Sequence, residues 1–176
     1  MENKNLNIDI LEPQKQLNLY GFDSYFKMFI DLFHLKRLPN TILLSGPKGS
    51  GKATFAYHLI NYFLSKNEEY AYDNNNYTIN KKNLTFKNIN NSTHHNFFLI
   101  NSQNSGDEIK VEKIRELLLF LNKTTYSQNI KFVIIDDVEN LNLNSSNALL
   151  KAIEEPNSNT FFFLIHNSSA KIIDTI

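Results

Sequence analysis

The fold of this chain is decided by a glycine-rich stretch, Gly46-Pro47-Lys48-Gly49-Ser50-Gly51-Lys52. An apolar run, Ile42-Leu43-Leu44, comes just before it, and a helical pattern begins near Lys52. A strand, a tight loop and a helix in this order direct backbone N–H groups and the positive end of the helix at one point. The stretch fits the pattern G-x-x-x-x-G-K, in which the lysine reaches a phosphate group. It therefore predicts a phosphate-binding loop, or P-loop.

The residue after the lysine departs from this pattern. The pattern calls for Ser or Thr there, whose hydroxyl binds Mg²⁺, but Ala53 occupies the position and Thr54 follows, about 100° further around the helix. A nucleotide can still bind, whereas metal-assisted chemistry is called into question. The alternative is a glycine-rich hairpin turn, which requires a second strand. The apolar residues that follow keep helical spacing instead: Phe55, Ala56, Leu59, Ile60, Phe63 and Leu64.

Composition is typical of one packed domain. The chain has 176 residues, of which 41% are hydrophobic, and its 18 Lys and Arg balance its 18 Asp and Glu. Zero net charge argues against a protein that coats nucleic acid by bulk electrostatics. The absence of cysteine excludes disulfides, thiolate zinc sites and cysteine nucleophiles, and it is compatible with a reducing cytoplasm. No signal peptide or membrane anchor is recognisable, so we expect a soluble, cytoplasmic protein.

Periodicity and helix breakers predict alternating helices and strands around the loop. The first 12 residues are polar and mixed, and Leu11-Glu12-Pro13 breaks a helix, which favours a tail or a first short turn. Predicted helices cover 23–38, a segment from Lys52, 107–121 (opened by Asp107 and Glu108), 145–155 (capped by Asn144) and a last segment from about Ser169. Predicted strands cover 40–45, 96–100, 131–135 and 160–165, and their nearly continuous apolar character is typical of buried parallel strands.

Residues 67–95 form an Asn- and Lys-rich excursion with little periodicity. They predict a loop, or weak strands at 77–79 and 84–86. His94 and His95 end this segment, but adjacent histidines point in different directions and make a poor metal pair. We therefore expect no metal site here.

Two carboxylates follow the third predicted strand. Asp136 and Asp137 come directly after Phe132-Val133-Ile134-Ile135. Parallel strands carry their carboxyl ends to one ligand crevice, so these acids should lie beside the phosphate-binding loop if both strands belong to one sheet. The alternative, two acids that begin an exposed turn, is common after any strand.

The motifs together resemble those of the clamp-loader subunits of bacterial DNA polymerase III, of the delta-prime type in the AAA+ family. The resemblance rests on the loop 46–52, on Phe132–Asp137 and most specifically on Ser146-Asn-Ala-Leu-Leu-Lys-Ala-Ile-Glu-Glu-Pro156. It implies an α/β fold of the P-loop NTPase (RecA-like) type, a parallel sheet with helices on both faces. Residues 1–176 would form the nucleotide-binding subdomain, without the lid and collar domains of the family. The implied work is to load a sliding clamp onto primed DNA during replication, with other clamp-loader subunits as partners and no membrane.

The resemblance also implies roles for individual residues. Lys52 takes the phosphate contact, Asp136 the position that holds metal-bound water, and Asp137 the place of a glutamate that activates water in active relatives. His166 or Asn167 takes the first sensor position, and the motif does not choose between them. The nucleotide-binding set is Gly46, Pro47, Lys48, Gly49, Ser50, Gly51, Lys52, Ala53, Thr54 and Asn167.

Three departures from the family weaken the implied site. Ala53 lacks the metal-binding hydroxyl, and Asp137 is one methylene shorter than glutamate, which reduces its reach as a base. Relatives often carry a cysteine-based zinc module where this chain has 67–95, and no cysteine is present, so we expect no zinc. The resemblance thus implies weak ATP binding, with Mg²⁺ possible, and weak or absent hydrolysis.

A stand-alone P-loop ATPase or small kinase is the alternative function. It requires a metal-binding hydroxyl at position 53 and leaves Asn147–Pro156 unexplained. The gene sequence beyond Ile176 discriminates between the two, because a clamp-loader subunit continues into a Ser-Arg-Cys motif and helical domains.

Overall fold

A parallel four-stranded sheet forms the centre of the molecule. The computed structural model describes residues 11–102, 106–123, 130–154 and 159–171. The strands are β1 (Thr41–Gly46), β2 (Phe97–Ile100), β3 (Lys131–Ile135) and β4 (Thr160–Asn167). They lie in the order β1-β4-β3-β2, and every neighbouring pair is parallel. The predicted parallel sheet is confirmed.

Helices cover both faces of this sheet. They are α1 (Asp23–His34), α2 (Lys52–Leu64), α3 (Leu84–Asn90), α4 (Val111–Asn122) and α5 (Leu143–Glu154). Alternate strand residues face opposite ways, so Phe132 and Ile134 pack with α1, α2 and α3, while Val133 and Ile135 pack with α4 and α5. No described helix is long and apolar enough to cross a membrane.

Phenylalanine rings fill much of the layer between the sheet and α1 and α2. The ring of Phe63 on α2 stacks on Phe132 of β3 with centroids 5.6 Å apart, and Phe132 stacks on Phe161 of β4 at 5.6 Å. On the other side of this row, Phe29 of α1 lies 6.4 Å from Phe163. Offset contacts of this kind add to the energy of burying the rings.

A buried lysine at the start of β3 caps the C-terminus of α4. This contact was not predicted from the sequence. Lys131, the first residue of β3, is only 7% exposed, and its Nζ donates to the carbonyls of Phe120 (3.0 Å), Leu121 (2.7 Å) and Lys123. The last carbonyls of a helix have no partner within it and carry partial negative charge. The ammonium satisfies these carbonyls and ties α4 to the sheet.

The structure corrects the prediction for the Asn- and Lys-rich segment, 67–95. Residues 84–86 belong to helix α3 and not to a strand, and residue 78 makes only isolated bridges, to Asn18 and Asp73. The N-cap of α3 is Asn83, whose side chain accepts from the N–H of Phe86 at 2.6 Å. The carboxylate of Glu68 adds to this cap, since it accepts from the N–H groups of Leu84 (2.8 Å) and Thr85 (2.9 Å). Glu68 lies 16 residues upstream of the helix, so local sequence patterns do not reveal its contribution.

Two predicted helix ends were also wrong. Helix α1 ends at His34 and not at residue 38, because Lys36 takes a left-handed conformation (φ 56°) and Leu38 donates back to the carbonyl of Leu32. Such a turn satisfies the carbonyls at a helix C-terminus. Helix α4 begins at Val111, because Ile109 forms a bridge with Leu141 instead of a helical turn.

The cap of α5 was assigned to the wrong asparagine. Asn142 accepts from the N–H of Ser145 at 2.9 Å, and Asn144 lies inside the helix. Two further predictions reach residues outside the described ranges: the end of α5 at residues 155 and 156, and most of the last helix. Residues 168–170 form a turn, closed by the N–H of Ala170 on the carbonyl of Asn167.

A buried histidine makes stability depend on pH. His58 of α2 is fully buried; one ring nitrogen lies 3.2 Å from the carbonyl of Gln16 and the other 3.0 Å from the hydroxyl of Tyr72. Burial lowers the pKa of His58 from 6.5 to about 4. Because the folded chain binds a proton on His58 less tightly than the unfolded chain does, protonation favours unfolding. The stability is therefore fully present above pH 6.5 and is lost as the pH falls towards 4.

We predict that this loss amounts to about 3 kcal/mol at most. The measurement is urea unfolding at several pH values between 7 and 4, for the unmodified chain and for His58→Gln. Every other titrating group is shared by the two proteins, so the difference between their pH profiles isolates the imidazole. His95→Gln, at an exposed position, is the control and should keep the original profile. Equal profiles for all three proteins would contradict the prediction.

Candidate functional site

The carboxyl ends of three strands meet at one edge of the sheet and surround a cavity. Gly46 of β1 pairs with Asn167 of β4, and Ile135 of β3 pairs with Leu164, so Asp136 follows at the same edge. The cavity has a volume of about 350 Å³. It is lined by Lys48, Gly49, Gly51, Lys52, Ala53, Thr54, Asp136, Asp137 and Asn167, and by Leu11, Pro13, Gln16 and Ile165.

The loop takes the shape that its glycines allow. Gly49 and Gly51 have φ values of +80° and +84°, in the left-handed region that favours glycine. Gly51 is the N-cap of α2, and its carbonyl accepts from the N–H of Phe55 at 2.8 Å. The first N–H groups of a helix have no partner within it and lie at its positive end. The loop and α2 therefore present donors to an anion in the cavity.

Lys52 lies folded onto its own loop. Its Nζ donates to the carbonyls of Gly46 (2.9 Å) and Pro47 (2.7 Å), and it lies 3.4 Å from Oγ of Ser50. Gly46, Pro47 and Ser50 thus belong to the site through the lysine. The ammonium stands at the cavity wall, where it can exchange a carbonyl contact for a phosphate oxygen.

The two carboxylates line the same cavity as the loop and Lys52. Burial, and then the charge of Asp137, raise the pKa of Asp136 to about 6. The backbone N–H of Asp137 donates to Oδ1 of Asp136 at 3.1 Å, and Ser102 donates to the carboxylate of Asp137 at 3.4 Å. Asp137 also has φ 56°, a conformation that non-glycine residues adopt at a cost and often at functional sites.

Asn167 and His166, the two candidates for the sensor position, have different surroundings. Asn167 lines the cavity, and its backbone N–H donates to both carboxylate oxygens of Glu139 at 3.3 Å. His166 lies between Oγ of Ser45 (2.9 Å) and the carbonyl of Ala170 (3.1 Å). Because a carbonyl only accepts, Nε2 carries the proton and Nδ1 accepts from Ser45. The geometry favours Asn167, and the assignment stays a prediction.

One wall of the cavity was missed in the sequence. Leu11, Pro13 and Gln16 line it; Pro13 begins a short 3₁₀ helix, Pro13–Lys15, and Gln16 is the C-cap of that helix. A tail or a first short turn was predicted for the first 12 residues, without a role in the cavity. Apolar residues at alternate positions, Leu17 and Leu19, follow directly and are the signal that would have indicated packing.

The described residues hold no group of three or more His, Cys, Asp or Glu side chains that could bind a metal ion. Ala53 lines the cavity where the loop pattern expects a hydroxyl. Nδ1 of His94 accepts from the N–H of Asn96 at 3.2 Å. The cavity thus combines loop N–H groups and an ammonium, which suit an anion, with an alanine at the position where the pattern has a metal-binding hydroxyl.

The comparisons with known proteins name the family. The model of the family described as "DNA polymerase III, delta subunit" matches residues 22–176. The chain belongs to this family. It is similar to DNA polymerase III subunit delta' of Bacillus subtilis, with 30% identity over 85% of the chain and 43% of the relative. The corresponding subunit of Buchnera aphidicola (subsp. Baizongia pistaciae) is 29% identical over 91% of the chain and 48% of the relative.

A solved structure agrees with the fold. A DNA polymerase III gamma subunit-related protein of Thermotoga maritima superposes with a TM-score of 0.57 at 23% identity, over 82% of this chain and 42% of that protein. The α/β fold with a parallel sheet, which the motifs implied, is therefore confirmed. The chain spans less than half of each of these three relatives.

The close approach of Phe22 to Gly51 leads to a prediction about the loop glycines. A Cβ on Gly51 would lie 3.1 Å from Cε2 of Phe22, whose ring stacks on Phe55 with centroids 5.1 Å apart. Gly51→Ala should therefore lower the free energy of unfolding for two reasons. The left-handed backbone contributes about 1–2 kcal/mol, and the crowding of the Phe22 ring contributes about 1 kcal/mol or more.

Gly49→Ala is the matched control, because Gly49 is also left-handed but a Cβ there meets nothing within 4 Å. The free energy of unfolding of Gly49→Ala should fall only by the amount that the left-handed backbone contributes. Denaturant unfolding of both variants measures the difference. Equal losses would show that Phe22 does not restrain the loop.

Proposed function

We propose that this chain is the nucleotide-binding subdomain of a clamp-loader subunit of the delta-prime type. Its cavity would bind a nucleoside triphosphate weakly and hydrolyse it little or not at all. Its main work would be assembly with other clamp-loader subunits, so that the assembly places a sliding clamp on primed DNA. Relatives named DNA polymerase III subunits delta', gamma and tau support a role within such an assembly.

One observation carries the nucleotide part of this proposal. The loop, Lys52, Asp136 and Asn167 surround a single cavity at the carboxyl edge of a parallel sheet. Ligands of open α/β sheets bind at such an edge, and the loop supplies the N–H groups and ammonium that a phosphate needs. The same cavity contains Ala53, which has no hydroxyl for a metal.

Charge explains why binding should be weak. A triphosphate entering this cavity approaches the carboxylates of Asp136 and Asp137, while Lys52 and the positive end of α2 attract it. In complete P-loop sites a Mg²⁺ ion, held by the loop hydroxyl and the strand-end Asp, neutralises the phosphates. Without that hydroxyl the ion is held less well, so it should contribute less affinity.

Hydrolysis should be weak for a related reason. A base that activates water must come within hydrogen-bond reach of it. Asp137 has the shorter side chain, and Ser102 already donates to its carboxylate. We therefore expect phosphate release at or near background, and the subunit would serve mainly as a rigid component of the assembly.

The test of this proposal is a titration with labelled ATP, with and without Mg²⁺. We expect weak binding that Mg²⁺ changes little and that Lys52→Ala abolishes. Ala53→Thr restores the hydroxyl and should make binding depend on Mg²⁺, with affinity rising about tenfold, or about 1.4 kcal/mol.

Two results would contradict the proposal. One is tight, Mg²⁺-dependent ATP binding that survives Lys52→Ala. The other is rapid steady-state phosphate release by the unmodified chain, which would favour an independent ATPase. Lys66→Ala, at an exposed position just beyond α2, controls for the loss of a positive charge.

A further inference from the structure

The part of the cavity wall that residues 11–19 form makes hydrogen bonds with residues that come later in the chain. We call residues 11–19 the N-terminal wall. The carbonyl of Leu17 accepts from the N–H of Ile79 at 2.8 Å, and the N–H of Leu19 donates to the carbonyl of Tyr77 at 3.0 Å. Two side chains add further contacts: Asn90 to the carbonyl of Gln14, and His58 to the carbonyl of Gln16.

Asn90, on α3, makes the most specific of these contacts. Its Nδ2 donates to the carbonyls of Gln14 (3.2 Å) and Phe86 (2.9 Å). Its Oδ1 is buried and, within the part of the chain that the structure describes, has no hydrogen-bond partner. Turning the amide over would set this oxygen against two carbonyl oxygens, so the orientation is fixed by the donors. A buried polar atom without a partner has a cost, and here it accompanies a contact that joins α3 to the wall.

A second contact to the N-terminal wall comes from the buried pair His58 and Tyr72. The carbonyl of Gln16 only accepts, so Nε2 of His58 carries the proton and Nδ1 accepts from the hydroxyl of Tyr72. Tyr72 and Asn90 both belong to the Asn- and Lys-rich segment, 67–95. This segment therefore braces the N-terminal wall from α3 and, through Tyr72 and His58, from α2.

The chemistry of the cavity divides between its two sides. The loop side carries the donors and the ammonium, whereas the N-terminal wall contributes Leu11, Pro13 and Gln16, whose side-chain amide donates to the carbonyl of Leu11 at 2.9 Å. Ile165 of β4 also lines the cavity, so that Leu11, Pro13 and Ile165 are its apolar part. Apolar surfaces of this kind suit the flat face of a nucleobase and offer nothing to a phosphate. A nucleotide with its phosphates at the loop would therefore direct its base to the wall.

We propose that Asn90 is a positioning residue that holds the N-terminal wall in place for the nucleobase of a bound nucleotide. The segment 67–95 thereby sets the affinity for the nucleoside part of the ligand, while the loop sets the affinity for its phosphates. This inference rests on the nucleotide site proposed above.

The experiment compares two ligands, ATP and inorganic tripolyphosphate, both without Mg²⁺. In Asn90→Ala we expect ATP affinity to fall roughly three- to tenfold, as for the loss of one net hydrogen bond, and tripolyphosphate affinity to stay unchanged. Asn88→Ala, an exposed position on the same helix, should change neither. Equal losses for both ligands, or no loss for ATP, would overturn the proposal.

Hydrogen exchange tests the positioning separately from the ligand. In Asn90→Ala the amides of Lys15 and Leu19 should exchange faster than in the unmodified chain and in Asn88→Ala, while amides of β3 keep their rates. If the unmodified chain binds neither ligand, the proposed nucleotide site has failed. Faster exchange in the wall would then still support the positioning role, and unchanged exchange would overturn it.

Discussion

The parallel pairing of β1 with β4 is the constraint on which the rest of the site depends. The pairing runs from Thr41 opposite Phe162 to Gly46 opposite Asn167. It fixes the start of the loop beside the end of β4, and the β3–β4 pairing then sets Asp136 at the same edge. A shift of one residue would turn every buried side chain of β4 to the other face. Two apolar layers, one on each face of the sheet, therefore also fix the geometry of the cavity.

The segment 67–95 has a structural role that its composition conceals. Tyr72 and Ile79 are buried in the core beside α1 and α2, and Thr85 and Ile89 anchor α3. The segment is held in place largely by hydrogen bonds of its backbone and side chains. Its sequence therefore lacks the periodic apolar pattern from which such packing is normally predicted. The segment thereby connects the N-terminal wall to α2, and it contains no cysteine.

Sequence patterns predicted the parts of the molecule whose cause is local. The P-loop follows from glycine spacing, and the sheet follows from apolar runs such as Phe132–Ile135, so the placement of Asp136 beside Lys52 followed as well. The missed features depend on distant partners. A 3₁₀ helix of three residues has no periodicity, the carboxylate of Glu68 reaches the start of α3 from 16 residues upstream, and the burial of Lys131 requires the carbonyls of α4.

We propose that the cavity holds triphosphate through Lys52 and the loop, with little help from a metal. A crystal structure of the chain with a non-hydrolysable ATP analogue, prepared with Mg²⁺, tests this proposal most directly. We expect phosphates on the N–H groups of the loop, Nζ of Lys52 moved from the Gly46 and Pro47 carbonyls to a phosphate oxygen, and the base against Leu11 and Pro13. An ordered Mg²⁺ ion with a full set of ligands, or an analogue bound elsewhere while Lys52 keeps its carbonyl contacts, would contradict it.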